Sequence, residues 1–309
     1  MRRIVGIVIF VIGVLLLLSS LLLHVQEIGK GFGITTCLVG AAIFALSFVP
    51  QPDPGPDAPP PLPPADRVTR VFYEPEPVFK NLRYHPRWLA GFLVIAVVAS
   101  IYGIAATQRL GPAKMASDYA DRVIAGGFVP PDKVDLFKAQ TMADAEKQGI
   151  ITRIASPLAG VNVFFLVMLL LAAIYMLCVM AFGGRINFWQ ALSVAVYGSL
   201  PPVIISMILS LVLLYVKSPD DLEALRVQRG LARADLGLLV SAVEHPYFYT
   251  IASFIGIFNL YGWWLTVTGL RNTGEKLSAG SAWTIAFMLW FLGIIISLVL
   301  AMLAPSFVG

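Results

Sequence analysis

Three histidines, His24, His85 and His245, and two cysteines, Cys37 and Cys178, are the side chains best suited to acid–base, nucleophilic or metal chemistry. They form no constellation. Every histidine falls outside the long apolar stretches, and no HExxH, GxSxG or phosphate-cradling glycine loop occurs. Two cysteines are too few for a disulfide framework or a structural zinc site, and they read as packing residues. Ser199, in Tyr197-Gly198-Ser199-Leu200, has the setting of an intramembrane nucleophile, but no histidine lies in an apolar stretch to activate it. No catalytic residue, cofactor-binding residue or metal ligand is assigned, and the chain is expected not to be an enzyme.

Two polar features lie within apolar stretches. Pro201-Pro202 follows Tyr197-Gly198, and each proline removes an amide donor, so the carbonyls of Tyr197 and Gly198 lose their helical partners. One reading is a broken helix at midplane that lines a substrate or ion site. The plainer reading is a packed kink, satisfied by serines such as Ser193 or Ser206. Asn259 and Trp263 stand four residues apart and share a helix face. An amide in hydrocarbon needs a partner on another helix, and the freed carbonyls of Tyr197 and Gly198 are suitable ones. Arg185, Arg271 and Lys276 sit in short polar segments, as candidate contacts for headgroup phosphate or a cytosolic partner.

The elements that must position these residues follow from composition. Of 309 residues, 58% are hydrophobic and 13% charged, with mean hydropathy +0.81. A soluble globular chain is nearer a quarter charged, so an ordinary soluble enzyme, a disordered chain and a nucleic-acid binder are all excluded. Seven apolar windows can span a bilayer as helices: 4–23, 33–49, 88–106, 160–182, 191–216, 248–270 and 282–304. None contains Asp, Glu, Lys or Arg; all 40 charges lie outside them. Proton-coupled and voltage-driven mechanisms need ionisable groups inside the membrane, so both are disfavoured. The expected fold is all-α, a polytopic transmembrane bundle of seven spans. The first window reads as a retained anchor, since Leu21-Leu22-Leu23-His24 offers no small-residue cleavage site.

Seven crossings place the termini on opposite sides. The N-terminal side carries 10 basic residues in 60 positions, and the other side 12 in 98. The bias favours a cytoplasmic N-terminus and an outer C-terminus. A proline-rich linker, 50–69, divides a two-span hairpin, 1–49, from a five-span body, 70–309. The linker should be extended, either a spacer or a docking segment for a polyproline-binding partner, and the spacer is the simpler reading. Two outer loops, 107–159 and 217–247, should hold short helices. Met115, Tyr119 and Val123 share a face, and Pro130-Pro131-Asp132 starts a second helix. Ser218-Pro219-Asp220-Asp221 has the pattern of a capped helix start.

The body resembles the Yip-one domain family (Ypt-interacting proteins), in particular its bacterial members. Four segments carry the resemblance: Phe72-Tyr73-Glu74-Pro75-Glu76-Pro77-Val78-Phe79 with Pro86-Arg87-Trp88-Leu89; Gly183-Gly184-Arg185-Ile186-Asn187-Phe188-Trp189; Tyr197-Gly198-Ser199-Leu200-Pro201-Pro202; and Asn259-Leu260-Tyr261-Gly262-Trp263-Trp264 with Gly269-Leu270-Arg271. It covers about residues 70–306 and implies a five-helix body with a cytoplasmic N-terminus in the cell (inner) membrane. Eukaryotic relatives bind Rab-type GTPases, but this chain lacks their acidic Asp-Leu-Tyr-Gly-Pro segment, so that role is not carried over. The expected function is non-enzymatic membrane organisation or partner recruitment. The alternative is a passive transporter, channel or lipid scramblase built on a broken helix at Tyr197-Pro202. The expected partners are the lipid bilayer and a cytosolic or membrane protein, with homo-oligomerisation left open, and no cofactor or nucleic acid.

Overall fold

The computed structural model describes residues 2–22, 30–56, 58–147 and 149–308. Twelve helices are described, in the order α1 (Arg2–Leu22), α2 (Lys30–Leu46), α3 (Pro64–Arg70), α4 (Pro75–Tyr84), α5 (Leu89–Ala125), α6 (Val134–Glu146), α7 (Ile150–Ala181), α8 (Phe188–Val216), α9 (Ala224–Arg229), α10 (Pro246–Ser253), α11 (Ile257–Thr273) and α12 (Ala279–Leu303). The all-α helical bundle is as expected. Five helices are long and apolar enough to cross a membrane, namely α1, α5, α7, α8 and α12, and α2 is a shorter apolar helix. His24 and the Leu23 end of the first predicted span lie outside the described residues.

The expected sixth span, 248–270, is not one helix. The chain divides there into α10 and α11, with Gly256 extended at φ −150° and ψ 158°. By contrast, α8 runs unbroken from Phe188 to Val216 through Pro201 and Pro202. The expected break at Tyr197-Pro202 is therefore corrected: the interruption lies one span later. Local serines do not serve the carbonyls of Tyr197 and Gly198 either. Ser193 Oγ donates to the Trp189 carbonyl at 2.9 Å, and Ser206 Oγ donates to Ala232.

The N-terminal hairpin packs through glycine. A Cβ added at Gly6 would lie 2.6 Å from the Phe44 amide nitrogen, and one at Gly13 would lie 2.5 Å from that of Cys37. Gly40 faces the Phe10 backbone even more closely. Small residues at this spacing let helix backbones approach where lipid gives no hydrophobic drive. The hairpin also docks on the body, where Asn162 of α7 donates to Thr35 and Thr36 of α2 at 3.3 and 3.0 Å.

The end of the bundle that carries residues 50–88, 183–187 and 274–278 is the linker face. The described residues of 50–63 are free of helix, as expected, but the end of the predicted linker is helical. Pro64 at the first position and Asp66 in the first turn start α3. The extended part lies against the body. Asn81 Nδ2 donates to the Pro60 carbonyl at 2.9 Å while its Oδ1 accepts from the Leu62 amide at 3.1 Å. The adjoining lead-in, 72–79, continues into α4, whose apolar side is wedged against α8 and α11. Val78, Phe79 and Leu82 are fully buried, and Tyr261 Oη donates to the Phe72 carbonyl at 3.0 Å. Arg67 is 2% exposed above Tyr197. Burial lowers its pKa, and the polar ring of Tyr197 opposes that.

The opposite end, the loop face, holds the C-terminal part of α5, α6 and residues 217–247. α5 kinks at Gly111, where φ is +74° ahead of Pro112, and then continues to Ala125. The face with Met115 and Tyr119 is thus an extension of a span rather than a separate helix. Pro131 begins a 3₁₀ turn into α6, as expected. Ser218 caps nothing: Pro219–Asp221 is a single 3₁₀ turn, and the helix begins later, at Ala224. The missing cap comes from another element, because Asp118 Oδ2 accepts from the Ala224 amide at 2.9 Å.

Candidate functional site

Residues 224–236 do not stay on the surface. They re-enter between α5, α8 and the α10–α11 break, and their backbone groups are satisfied one by one. Tyr102 Oη of α5 donates to the Val227 carbonyl at 2.6 Å. Ser210 Oγ of α8 accepts from the Ala232 amide at 2.8 Å, and Ser206 Oγ, one turn earlier, donates to the Ala232 carbonyl at 3.3 Å. Ile257 N donates to the Ala234 carbonyl at 3.0 Å and Leu236 N to the Ile255 carbonyl at 2.9 Å, which makes an antiparallel bridge between Asp235 and Gly256. Irregular backbone at membrane depth is tolerated only when protein supplies such partners.

The same logic corrects the expected role of Asn259. Its Nδ2 donates to the Ser253 carbonyl at 3.1 Å, capping α10, and not to α8. Trp290 Nε1 of α12 donates to the Phe254 carbonyl at 3.3 Å. Trp263 packs edge-on against Trp290 at 4.7 Å, tying α11 to α12. A Cβ at Gly256 would lie 2.8 Å from Asp235 Cβ, so the close approach of loop and break requires glycine there.

This re-entrant segment encloses two adjoining cavities. The outer one, about 620 Å³, has Arg226, Arg229, Arg233 and Asp235 at its mouth, with Phe258 and Leu300 among its apolar walls. The deeper one, about 390 Å³, lies between α7, α8 and α11 and is lined by Tyr102, Tyr175, Gly198, Pro202, Asn259 and Trp263 among others. The two share Ser206, Arg229, Gly230, Phe258 and Asn259. Four of the six sequence-selected residues, Gly198, Pro202, Asn259 and Trp263, therefore meet at one cavity. Tyr197 and Pro201 do not join them. Tyr197 is fully buried on the linker side, with its hydroxyl donating to the Arg87 carbonyl at 3.4 Å.

The arginines at the mouth are the residues that sequence reasoning missed. Their spacing, Arg226-x-x-Arg229-x-x-x-Arg233, is visible in the sequence, but Glu223 and Asp235 close by balance the local charge. Arg233 is committed: it pairs with Asp235 at 2.5 Å and donates to Tyr249. Burial works against its charge, but Asp235 and Tyr249 outweigh it and raise its pKa. Arg229 Nη2 donates to the Phe307 carbonyl at 2.8 Å, and among the described residues no carboxylate pairs with it. Burial lowers its pKa; Tyr249 opposes this, and the like charges of Arg122 and Arg233 add to the lowering.

On the linker face, Arg185 and Glu275 exchange backbone hydrogen bonds at 2.9 and 2.8 Å, so Arg185 and Lys276 flank one small bridge. Both side chains are exposed, as is that of Arg271 at the end of α11. Arg83 pairs with Glu275 at 2.9 Å beside them.

The family model described as the Yip1 domain matches residues 69–301. The chain belongs to the Yip1 family. The match begins within α3 and ends within α12, so the wedge α4, the deeper cavity and the re-entrant loop lie inside the Yip1 domain, the outer cavity adds Leu303, Ala304, Phe307 and Val308 beyond it, and the hairpin precedes it. No curated protein and no solved structure matches the chain. Within the Yip1 domain, Ser210 is fully buried. Ser210→Ala should leave the Ala232 amide unpaired, a cost of about 1–3 kcal/mol. A lower melting temperature together with faster amide exchange at 230–234 is the expected result. Unchanged exchange there would show that this bond does not hold the loop.

Proposed function

We propose that this Yip1 protein is a non-enzymatic membrane organiser that recruits partners through its linker face. In this reading the hairpin (1–49), linker (50–69) and five-span body (70–309) are the functional units. The chain crosses the cell (inner) membrane seven times, with the linker face in the cytoplasm and the C-terminus outside. Arg185, Arg271 and Lys276 are then exposed cations on the cytoplasmic side, positioned for anionic headgroups or an acidic partner surface.

The observation that carries this reading is the packed layer between the two faces. Val179, Leu192, Val194 and Leu270 are all fully buried on the linker side of Tyr175, Ala195 and Thr266, which line the deeper cavity. A linker-face cavity of about 430 Å³, lined by Asp53, Arg83, Arg185 and Glu275 among others, shares no lining residue with the loop-face cavities. A conducting path needs continuity, and this arrangement supports a blind site instead.

The cavity at Gly198 and Asn259 favours a second reading, a passive facilitator or lipid scramblase. Reconstitution in liposomes separates the two. The organiser reading expects solute flux and lipid scrambling at the level of protein-free vesicles. Protein-dependent flux or scrambling would establish the second reading and remove the first.

A further inference from the structure

We propose that the outer loop-face cavity binds one anionic phospholipid, with its phosphodiester held by Arg229 and flanked by Arg226 and Arg233, and an acyl chain along Phe258 and Leu300. Neither reading above requires this site.

The lining has two chemistries at two depths. Its mouth carries three guanidiniums and one carboxylate, and that carboxylate, Asp235, is taken by Arg233. Arg226 lies 3.5 Å from Glu223, which Arg122 also engages at 2.7 Å. Acid is therefore in deficit, and Arg229 is the guanidinium left with a neutral acceptor. Its guanidinium is exposed at the mouth beside the like charges of Arg122 and Arg233, so it is open to an incoming anion. A phosphodiester suits it, because the planar fork of arginine bonds phosphate oxygens in pairs and is weakly hydrated. Apolar walls begin at Leu300, Ala301 and Leu303 in the last turn of α12 and continue further in at Phe254 and Phe258. Ser206, which also lines the cavity, is ten residues inside the Val216 end of α8, or about 15 Å along the helix. The cavity thus descends from headgroup level into the hydrocarbon region. A free phosphate would satisfy the mouth and leave these walls uncovered; an amphiphile satisfies both. The volume of about 620 Å³ is within the range of small-molecule sites.

The test uses the full-length purified protein, exposed to an equimolar mixture of phosphatidylglycerol and phosphatidylcholine and examined by native mass spectrometry. Retention of phosphatidylglycerol over phosphatidylcholine by about tenfold is expected, the size of one charge-assisted hydrogen bond. Arg229→Ala should bring the ratio close to one, and Arg229→Lys should restore part of it. Ser297 of α12 also lines the cavity, one turn before Ala301; Ser297→Phe, which fills the apolar side and leaves every arginine in place, should lower phosphatidylglycerol retention, and it decides the matter if Arg229→Ala does not fold. Millimolar inorganic phosphate should not displace the lipid. Equal retention of both lipids by the unaltered protein, unchanged retention in Ser297→Phe, or full displacement by inorganic phosphate would each overturn the proposal, the last in favour of a soluble anion.

Discussion

Phe79→Ala should destabilise the protein by about 3–5 kcal/mol, the usual cost of emptying a fully buried phenylalanine site. Phe79 is 0% exposed, on a short helix that lies at the linker face and is not itself a span. Its ring fills the gap between α8 and α11. A Cβ at Gly269 would stand 3.0 Å from the Phe79 ring and 2.7 Å from Val194, so the three residues form one close contact. The Phe79 carbonyl also accepts from Thr273 Oγ1 at 3.3 Å. No neighbour can easily relax into the space, because α8 and α11 already pack directly on each other at Val194 and Gly269. Thermal unfolding in detergent, with Tyr73→Ala as the exposed control, gives the measurement. Tyr73 is 67% exposed, so a loss in Phe79→Ala no larger than in the control would show that α4 is not the wedge described.

Gly40→Leu should separate α1 from α2. The position faces the Phe10 backbone so closely that even a single carbon cannot fit, and backbone cannot rotate away as a side chain can. Overpacking of this kind costs about 1–3 kcal/mol or more. The hairpin precedes the region matched to the Yip1 domain, so the body should keep its own melting transition. Cys37 itself can report the separation. Its Sγ lies 3.9 Å from the Phe10 carbonyl and would stand 2.7 Å from a Cβ at Gly13, so with Cys178 replaced a maleimide should label it slowly in the parent and faster when Gly40→Leu is added. An unchanged labelling rate would contradict the close glycine contact.

The spans were legible because each depends on its own composition. Helix α8, for example, is apolar enough to be found without knowledge of its neighbours. The break at 254–256 was not legible, for the opposite reason. No proline marks it, and the groups that stabilise it, Ala234, Leu236 and Trp290, are distant in sequence. Pro201-Pro202 attracted attention instead, yet two prolines in a row were absorbed into a continuous helix. Asn259 was rightly selected as an amide that needs a partner, and the partner turned out to be the Ser253 carbonyl six residues before it. The mouth arginines are hidden by averaging: Glu223 and Asp235 balance the local charge, and only the fold shows that Asp235 is taken by Arg233 and Glu223 by Arg122 and Arg226, which leaves Arg229 without a carboxylate among the described residues.

Sided cysteine accessibility tests most directly whether the cavity is blind. With Cys37 and Cys178 replaced, single cysteines are placed at Ser206, in both loop-face cavities, and at Ser199, deeper on α8. A membrane-impermeant maleimide applied from the loop face should label position 206 rapidly and position 199 more slowly. The same reagent applied from the linker face should label neither, because Val179, Leu192, Val194 and Leu270 are fully buried between that face and the cavity. Labelling of position 199 from the linker face would contradict the account and establish a continuous path through the Yip1 body.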